Sequence, residues 1–374
     1  MLRAVMSYSS LANRFVCDVP IYEAGRPIEE VARELGLQPS RVIKLASNEN
    51  ALGPSPKAVA AMRAALKTTH LYPDGGAFYL RAALAKKLGV QPANLIFGAG
   101  SNEVIEFLYH TFVSPGDEVV VGEEAFVIYA IMAKMFQARC VAVPFRDGHT
   151  HDLAGMRDAI TAKTKLVFVA NPNNPSGTRV SNAALAKFIR RLPAHVICVL
   201  DEAYYEFLDA PPPSIDWAMR KNVVVLRTFS KIVGLAGLRI GYGVAQADCI
   251  ALMQRVRQPF NVNAVAQAGA LAAITDDAHI RRTKKLTRQG LAYLYREFDQ
   301  LGLEYVPSHA NFVLVRVGDG GAVFQGLQRA GVIVRPMAGY QLPEWIRVTV
   351  GLPAENRRFV AALKAGRRTD FAVA

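Results

Sequence analysis

Apolar and polar positions along this chain fall into blocks, and the period of the blocks changes. Ser55-Pro56 opens a helically spaced run through Leu66, with serine as N-cap and proline at the first helical position. Residues 77–88 predict a second helix, which Gly89 ends. From Leu95 onward, short runs rich in valine and isoleucine alternate with helical stretches. The runs are 95–97, 118–121, 141–143, 165–170, 196–200, 223–228 and 240–244. Such runs suit strands buried on both faces. Helices between them, for example 103–113 and 127–137, imply crossover units and a largely parallel sheet.

After about Asn263 the pattern changes. A long helical region is expected to lead to Tyr305. Strands at 311–317, 332–334 and 346–350, with helices at 322–330 and 354–364, then predict a smaller α+β unit. A chain of 374 residues exceeds one ordinary core. The reading is an N-terminal arm (1–45), a large α/β domain (46–262) and a small C-terminal domain (263–374), with the arm joining the small domain.

Charge changes this picture only in part. Lys+Arg 44 against Asp+Glu 31 leaves +13, which raises nucleic acid or anionic ligands as partners. The densest basic run, Arg281, Arg282, Lys284, Lys285 and Arg288, falls in the long helical region and reads as a solvated face. No zinc-finger spacing, RNA-binding aromatic motif or helix-turn-helix accompanies it, so the charge favours small anionic ligands over nucleic acid. The four cysteines are far apart in apolar surroundings, which predicts buried, reduced thiols. Neither a signal core nor a membrane-spanning stretch is present, so a cytoplasmic protein with no membrane partner is expected. The seven histidines show no metal-ligand spacing, and no metal is expected.

Four short sequences lie at or near the carboxyl ends of predicted strands, where open α/β sheets bind ligands. Thr228-Phe-Ser-Lys231 is followed by Gly234-Leu-Ala-Gly-Leu-Arg239. A lysine there can form an imine with an aldehyde cofactor, and Ser230 and Arg239 could bind a phosphate beside it. Val199-Leu-Asp201-Glu-Ala-Tyr204 puts a carboxylate at the end of an apolar strand, where it needs a partner. A protonated pyridine nitrogen would serve, and an N-cap role is the plain alternative. Asn171-Pro-Asn-Asn-Pro-Ser-Gly177 is a turn. From it Asn174, together with Tyr204, could donate to a phenolic oxygen. Gly98-Ala-Gly-Ser-Asn-Glu103 lacks the last glycine of a dinucleotide fingerprint. It still opens a helix with small residues, and Ser101 and Asn102 are the expected phosphate contacts.

In their order and spacing these motifs resemble the fold-type I pyridoxal-phosphate aminotransferases, over nearly the whole chain. Within them the chain looks most like the histidinol-phosphate aminotransferase group. That likeness rests on Ile43-Lys-Leu-Ala-Ser-Asn-Glu-Asn50, Leu71-Tyr-Pro-Asp-Gly75, Gly331-Val-Ile-Val-Arg335, Trp345-Ile-Arg-Val-Thr-Val-Gly351 and the arm sequence beginning at Tyr22. The resemblance implies a seven-stranded, mostly parallel sheet in the large domain and pyridoxal 5'-phosphate in the cleft. It also implies amino-acid and 2-oxo-acid substrates and a homodimer. Lys231, Asp201 and Tyr204 would be catalytic and Phe126 would stack on the cofactor ring. Tyr72 would reach the phosphate of a neighbouring subunit. Arg347 would grip the substrate α-carboxylate, and Arg335 and Tyr22 would face a distal phosphate. Phe126 stands where many relatives carry tyrosine, and Glu123 and Glu124 stand where several carry proline or other residues. Transamination of aromatic amino acids or decarboxylation of threonine phosphate on the same scaffold stays open.

Overall fold

The computed structural model describes residues 8–21, 27–146 and 148–368. After the two-residue strand β1 (Ile43–Lys44), seven strands build one sheet. They are β2 (Leu95–Gly98), β3 (Glu118–Gly122), β4 (Arg139–Val143), β5 (Thr164–Ala170), β6 (Ile197–Asp201), β7 (Val223–Thr228) and β8 (Gly241–Val244). Their order is β2-β8-β7-β6-β5-β3-β4. Only β8 runs against its neighbours, β7 and β2. The other contacts, β3 with β4 and β5, β5 with β6, and β6 with β7, are parallel.

Side-chain alternation explains why these strands lack polar positions at their centres. Along β5, Val167 and Val169 enter one core while Leu166 and Phe168 enter the other. In β7, Val223 and Val225 face the first core and Val224 and Leu226 the second. Helices cover both faces, so every central position is apolar, and each buried valine or leucine contributes roughly 1.5–3 kcal/mol. The parity continues past the strand ends. Asp201 falls on the face of Tyr129, whereas Glu202 and Arg227 pair on the opposite face at 2.9 Å.

A four-stranded antiparallel sheet follows, from β9 (Tyr305–Val306), β10 (Phe312–Arg316), β12 (Arg335–Pro336) and β13 (Trp345–Thr349), in the order β12-β13-β10-β9. The remaining strand, β11 (Val332–Ile333), pairs in parallel with β1 in a separate two-stranded sheet, which ties the end of the arm to the small unit. Leu45 extends the tie by accepting a hydrogen bond from Thr349 N.

Two expectations change. The helical region before Tyr305 is two helices, Ala264–Ala273 and Asp277–Gln300, and Tyr305 itself begins β9. Asp276 breaks the run by capping the second helix through His279 N. The first helix sits beyond the 262/263 boundary, yet Ala266, Ala270 and Ala273 pack into the core of the seven-stranded sheet. The cysteines also differ: Cys198 is buried, Cys140 and Cys249 are partly so, and Cys17 is exposed. The basic run lies along the second helix, with Arg281, Arg282, Lys285 and Arg288 exposed and Lys284 and Arg288 paired to Asp209. No helix among the described residues is long and apolar enough to cross a membrane.

Candidate active site

One cleft at the carboxyl edge of the large sheet gathers Ser101, Asn102, Phe126, Asn174, Asp201, Tyr204, Ser230, Lys231 and Arg239. Chain order alone does not bring them together. They meet because β2, β5, β6 and β7 point the same way and end along one edge.

One end of the cleft is built for an anion. The helix Ser101–Phe112 opens at Gly100 with no side-chain cap, so its first N–H groups are free to face a ligand. Gly100 has φ +85, and a Cβ there would meet the Arg239 guanidinium at 2.5 Å. Arg239 itself holds a positive φ of 54, which turns its side chain back onto this glycine. Its Nη1 lies 3.4 Å from Ser230 Oγ. Asn102 Oδ1 is buried and has no hydrogen-bond partner. Beneath them Glu103 anchors the loop by accepting from Ala99 N and Asn261 Nδ2, each at 2.6 Å.

At the other end stands Asp201. The Tyr129 hydroxyl donates to its Oδ2 at 2.7 Å, and Ala203 N donates to Oδ1 at 3.2 Å. Burial pushes its pKa up, and these two bonds and nearby Lys231 pull it back. A buried carboxylate with spare acceptor capacity calls for a cationic donor in the cleft.

Lys231 lies between the two ends. Its amine donates to Ser47 O at 3.2 Å. Its pKa falls to about 8, chiefly because it is enclosed by protein, then because Arg347 and Arg239 are near; Glu49 and Asp201 oppose the shift. Gly234 makes the tight passage after it possible, at φ +73 and with no room for a Cβ against Gly53 O. Tyr204 accepts from Asn48 Nδ2 at 2.9 Å, which leaves its own proton to donate, and burial pushes its pKa up to about 12.

Arg347, on β13, stands at the rim. It donates to Asn174 Oδ1 and to Ala46 O, the latter at 2.8 Å. That contact leaves the Asn174 amide nitrogen as its donor toward the cleft. Arg335 sits directly opposite Arg347 in the β12–β13 register, so the two arginines project from one face of the small sheet. Tyr72 does not line this cleft. It is 84% exposed and stacks on Phe260 with ring centroids 4.8 Å apart. Tyr22 lies outside the described residues.

Two contributors escaped the sequence reading. Tyr129 follows Phe126 by three positions, just inside the helix Ile128–Met135, and the two rings meet edge to face with centroids 5.7 Å apart; their closeness in sequence was the available signal. Asn48, with φ 55, links Tyr204 to Thr349 across the two sheets. Nothing in its local sequence marks it apart from Asn50.

The pyridoxal phosphate implied by the sequence fits these residues. The anion cradle suits its phosphate, Asp201 its ring nitrogen, and Lys231 its aldehyde. Phe126 and Ala203 both line the space between.

Comparison with known proteins agrees. Residues 40–363 match the family model for aminotransferase class I and II. The histidinol-phosphate aminotransferase of Akkermansia muciniphila is 49% identical over 360 residues, covering 96% of this chain and 99% of that protein. Histidinol-phosphate aminotransferase 1 of Cupriavidus pinatubonensis is 51% identical over 357 residues, covering 94% and 95%. The crystal structure of histidinol-phosphate aminotransferase from Sinorhizobium meliloti, in complex with pyridoxal-5'-phosphate, superposes with a TM-score of 0.88 at 29% identity. It covers 99% of this chain and 100% of that one. The chain belongs to the class I and II aminotransferases.

Proposed function

We propose that this chain is a pyridoxal-phosphate-dependent aminotransferase that interconverts histidinol phosphate and its 2-oxo counterpart, with glutamate and 2-oxoglutarate as the second pair. The observation that carries this reading is the pair Arg335 and Arg347, side by side across β12 and β13 at the rim of the cleft. Two guanidiniums on one face suit, in turn, a dicarboxylate and a phosphate ester. Close identity to the relatives that bear the histidinol-phosphate name supports the choice of phosphate ester.

Ser101, Asn102, Ser230 and Arg239 would hold the cofactor phosphate, and Asp201 would keep the ring nitrogen protonated. Once bound, the cofactor supplies an aldehyde for amines and a ring that accepts the electron pair left at the substrate α-carbon. Lys231, with its pKa near 8, has a substantial neutral fraction near physiological pH and can take and return the α-proton. Asn174 and Tyr204 donate into the cleft beside it, and Arg347 orients the carboxylate of glutamate or 2-oxoglutarate.

The working unit in this proposal is a cytoplasmic homodimer, with a large unit at 46–262, a small unit at 263–374 and the arm before them. Leu66, Leu71, Tyr72, Phe78, Tyr79 and Phe260 are all exposed apolar side chains, and a second copy would cover them. Tyr72 would then reach the partner's cleft rather than its own.

Single-turnover mixing of the cofactor-loaded protein with histidinol phosphate tests the substrate. Conversion of the aldehyde to the amine form supports the reading. No conversion with histidinol phosphate, but conversion with phenylalanine, would replace it with an aromatic aminotransferase. CO₂ release from threonine phosphate would replace it with a decarboxylase.

A further inference from the structure

Glu124 is one of two acids that stand out beside the cofactor cleft. Its companion Glu123 is exposed, but Glu124 is not. Glu124 Oε2 lies 2.5 Å from His149 Nδ1, with the two side chains 19% and 20% exposed. A carboxylate can only accept, so the shared proton belongs to Nδ1 of the imidazole. Such a short contact to an ionised oxygen is among the stronger hydrogen bonds.

The pair fixes the imidazole ring, and the ring meets the Trp345 indole edge to face, with centroids 5.0 Å apart and planes at 76°. Trp345 begins β13, and its indole is buried. Side chains two apart on a strand share a face, so Trp345 and Arg347 project together from β13. The opposite wall joins the same two contacts. Arg347 donates to Asn174, in the turn after β5. In that turn Asn173 Nδ2 donates to Glu124 O at 3.0 Å, and Thr178 Oγ1 donates to His149 O at 2.8 Å. Two bridges, His149–Trp345 and Asn174–Arg347, therefore run from one support on the large sheet to one face of one strand on the small sheet.

We propose that the Glu124–His149 pair is a positioning latch, which holds Trp345 and thereby sets Arg347 where it meets the substrate carboxylate. The inference rests on the carboxylate-binding role given to Arg347 above. Neither latch residue touches the reacting atoms. Their loss should loosen binding of carboxylates and leave the proton transfers at Lys231 intact.

His149 has φ +54, so the test must respect its backbone. His149→Asn removes the ring while keeping a residue at ease in the left-handed region. Glu124→Gln keeps the shape and removes the charge. In both, glutamate and 2-oxoglutarate KM should rise, by about 10-fold for His149→Asn and less for Glu124→Gln, while kcat stays within about 2-fold. Calorimetric titration of the holoenzyme with succinate, which has no amino group, should show the same loss of affinity without any turnover. Cofactor loading and thermal midpoint, measured alongside, establish that each variant is folded.

Unchanged KM and unchanged succinate affinity in both variants would overturn the latch while leaving the aminotransferase reading in place. A fall in kcat at constant KM would overturn it as well, because the pair would then act on the chemistry. A wild type that neither turns over amino acids nor binds succinate would remove the role of Arg347, and the latch with it.

Discussion

Replacing Lys231 with methionine should make the cofactor-free protein more stable. Enclosure in the cleft, with Arg347 and Arg239 near, lowers the ammonium pKa from 10.5 to about 8. At about 1.4 kcal/mol per pH unit, that gap is a penalty of about 3 kcal/mol on the charged form. The cleft admits water to this partly buried side chain, which reduces the penalty to about 2 kcal/mol. Methionine is of similar length and needs no solvation, and it forfeits one hydrogen bond, to Ser47 O, worth about 1 kcal/mol. The net gain at pH 7 should be about 1–2 kcal/mol. The pH dependence gives the mechanism away. Below about pH 8 the lysine is protonated both folded and unfolded, and the penalty is complete. Between about 8 and 10.5 the unfolded chain binds more protons than the folded one, so wild-type stability rises with pH. The variant's advantage should therefore shrink through this window and vanish above it. Urea unfolding of both cofactor-free proteins at pH 7, 9 and 10.5 measures it. A variant no more stable than wild type at pH 7, or an advantage that persists at pH 10.5, would refute the reasoning.

Two other substitutions probe the ends of the cleft. Tyr129→Phe keeps the ring stack on Phe168 and removes only the donor to Asp201, a charge-assisted bond; kcat/KM should fall by about 10-fold or more, with the thermal midpoint little changed. Arg239→Ala removes the guanidinium packed on Gly100; cofactor affinity should drop by about 10–100-fold, read from the cofactor absorbance retained after dialysis.

Much of the cleft was legible because its chemistry is local. Asp201 ends a strand and Lys231 and Asn174 each follow one within a few residues, and a motif at a strand end carries its position with it. Tyr129 was harder to see, since its value lies in a bond to Asp201, 72 positions away. The Glu124–His149 pair was harder still. Glu124 stood out only as a departure from relatives and His149 only as a histidine without metal-ligand spacing, and only the fold brings the loop after β4 beneath the turn after β5.

The sequence by itself determined the seven strands of the large sheet and the order of their chemistry, but not the short strands β1, β9 and β12. Buried strands need unbroken apolar runs, and glycine, proline and asparagine mark the turns where function sits. It also carried enough of the aromatic, lysine and arginine motifs to reveal the family. Tertiary structure decided what meets what. It put Tyr129 on Asp201, Asn48 on Tyr204 and Arg335 opposite Arg347. It left Tyr72 on the outer surface and carried the helix Ala264–Ala273 into the large core. These are pairings between distant segments, set by sheet order, register and side-chain parity. Local periodicity encodes which face a residue takes, but not which residue waits there.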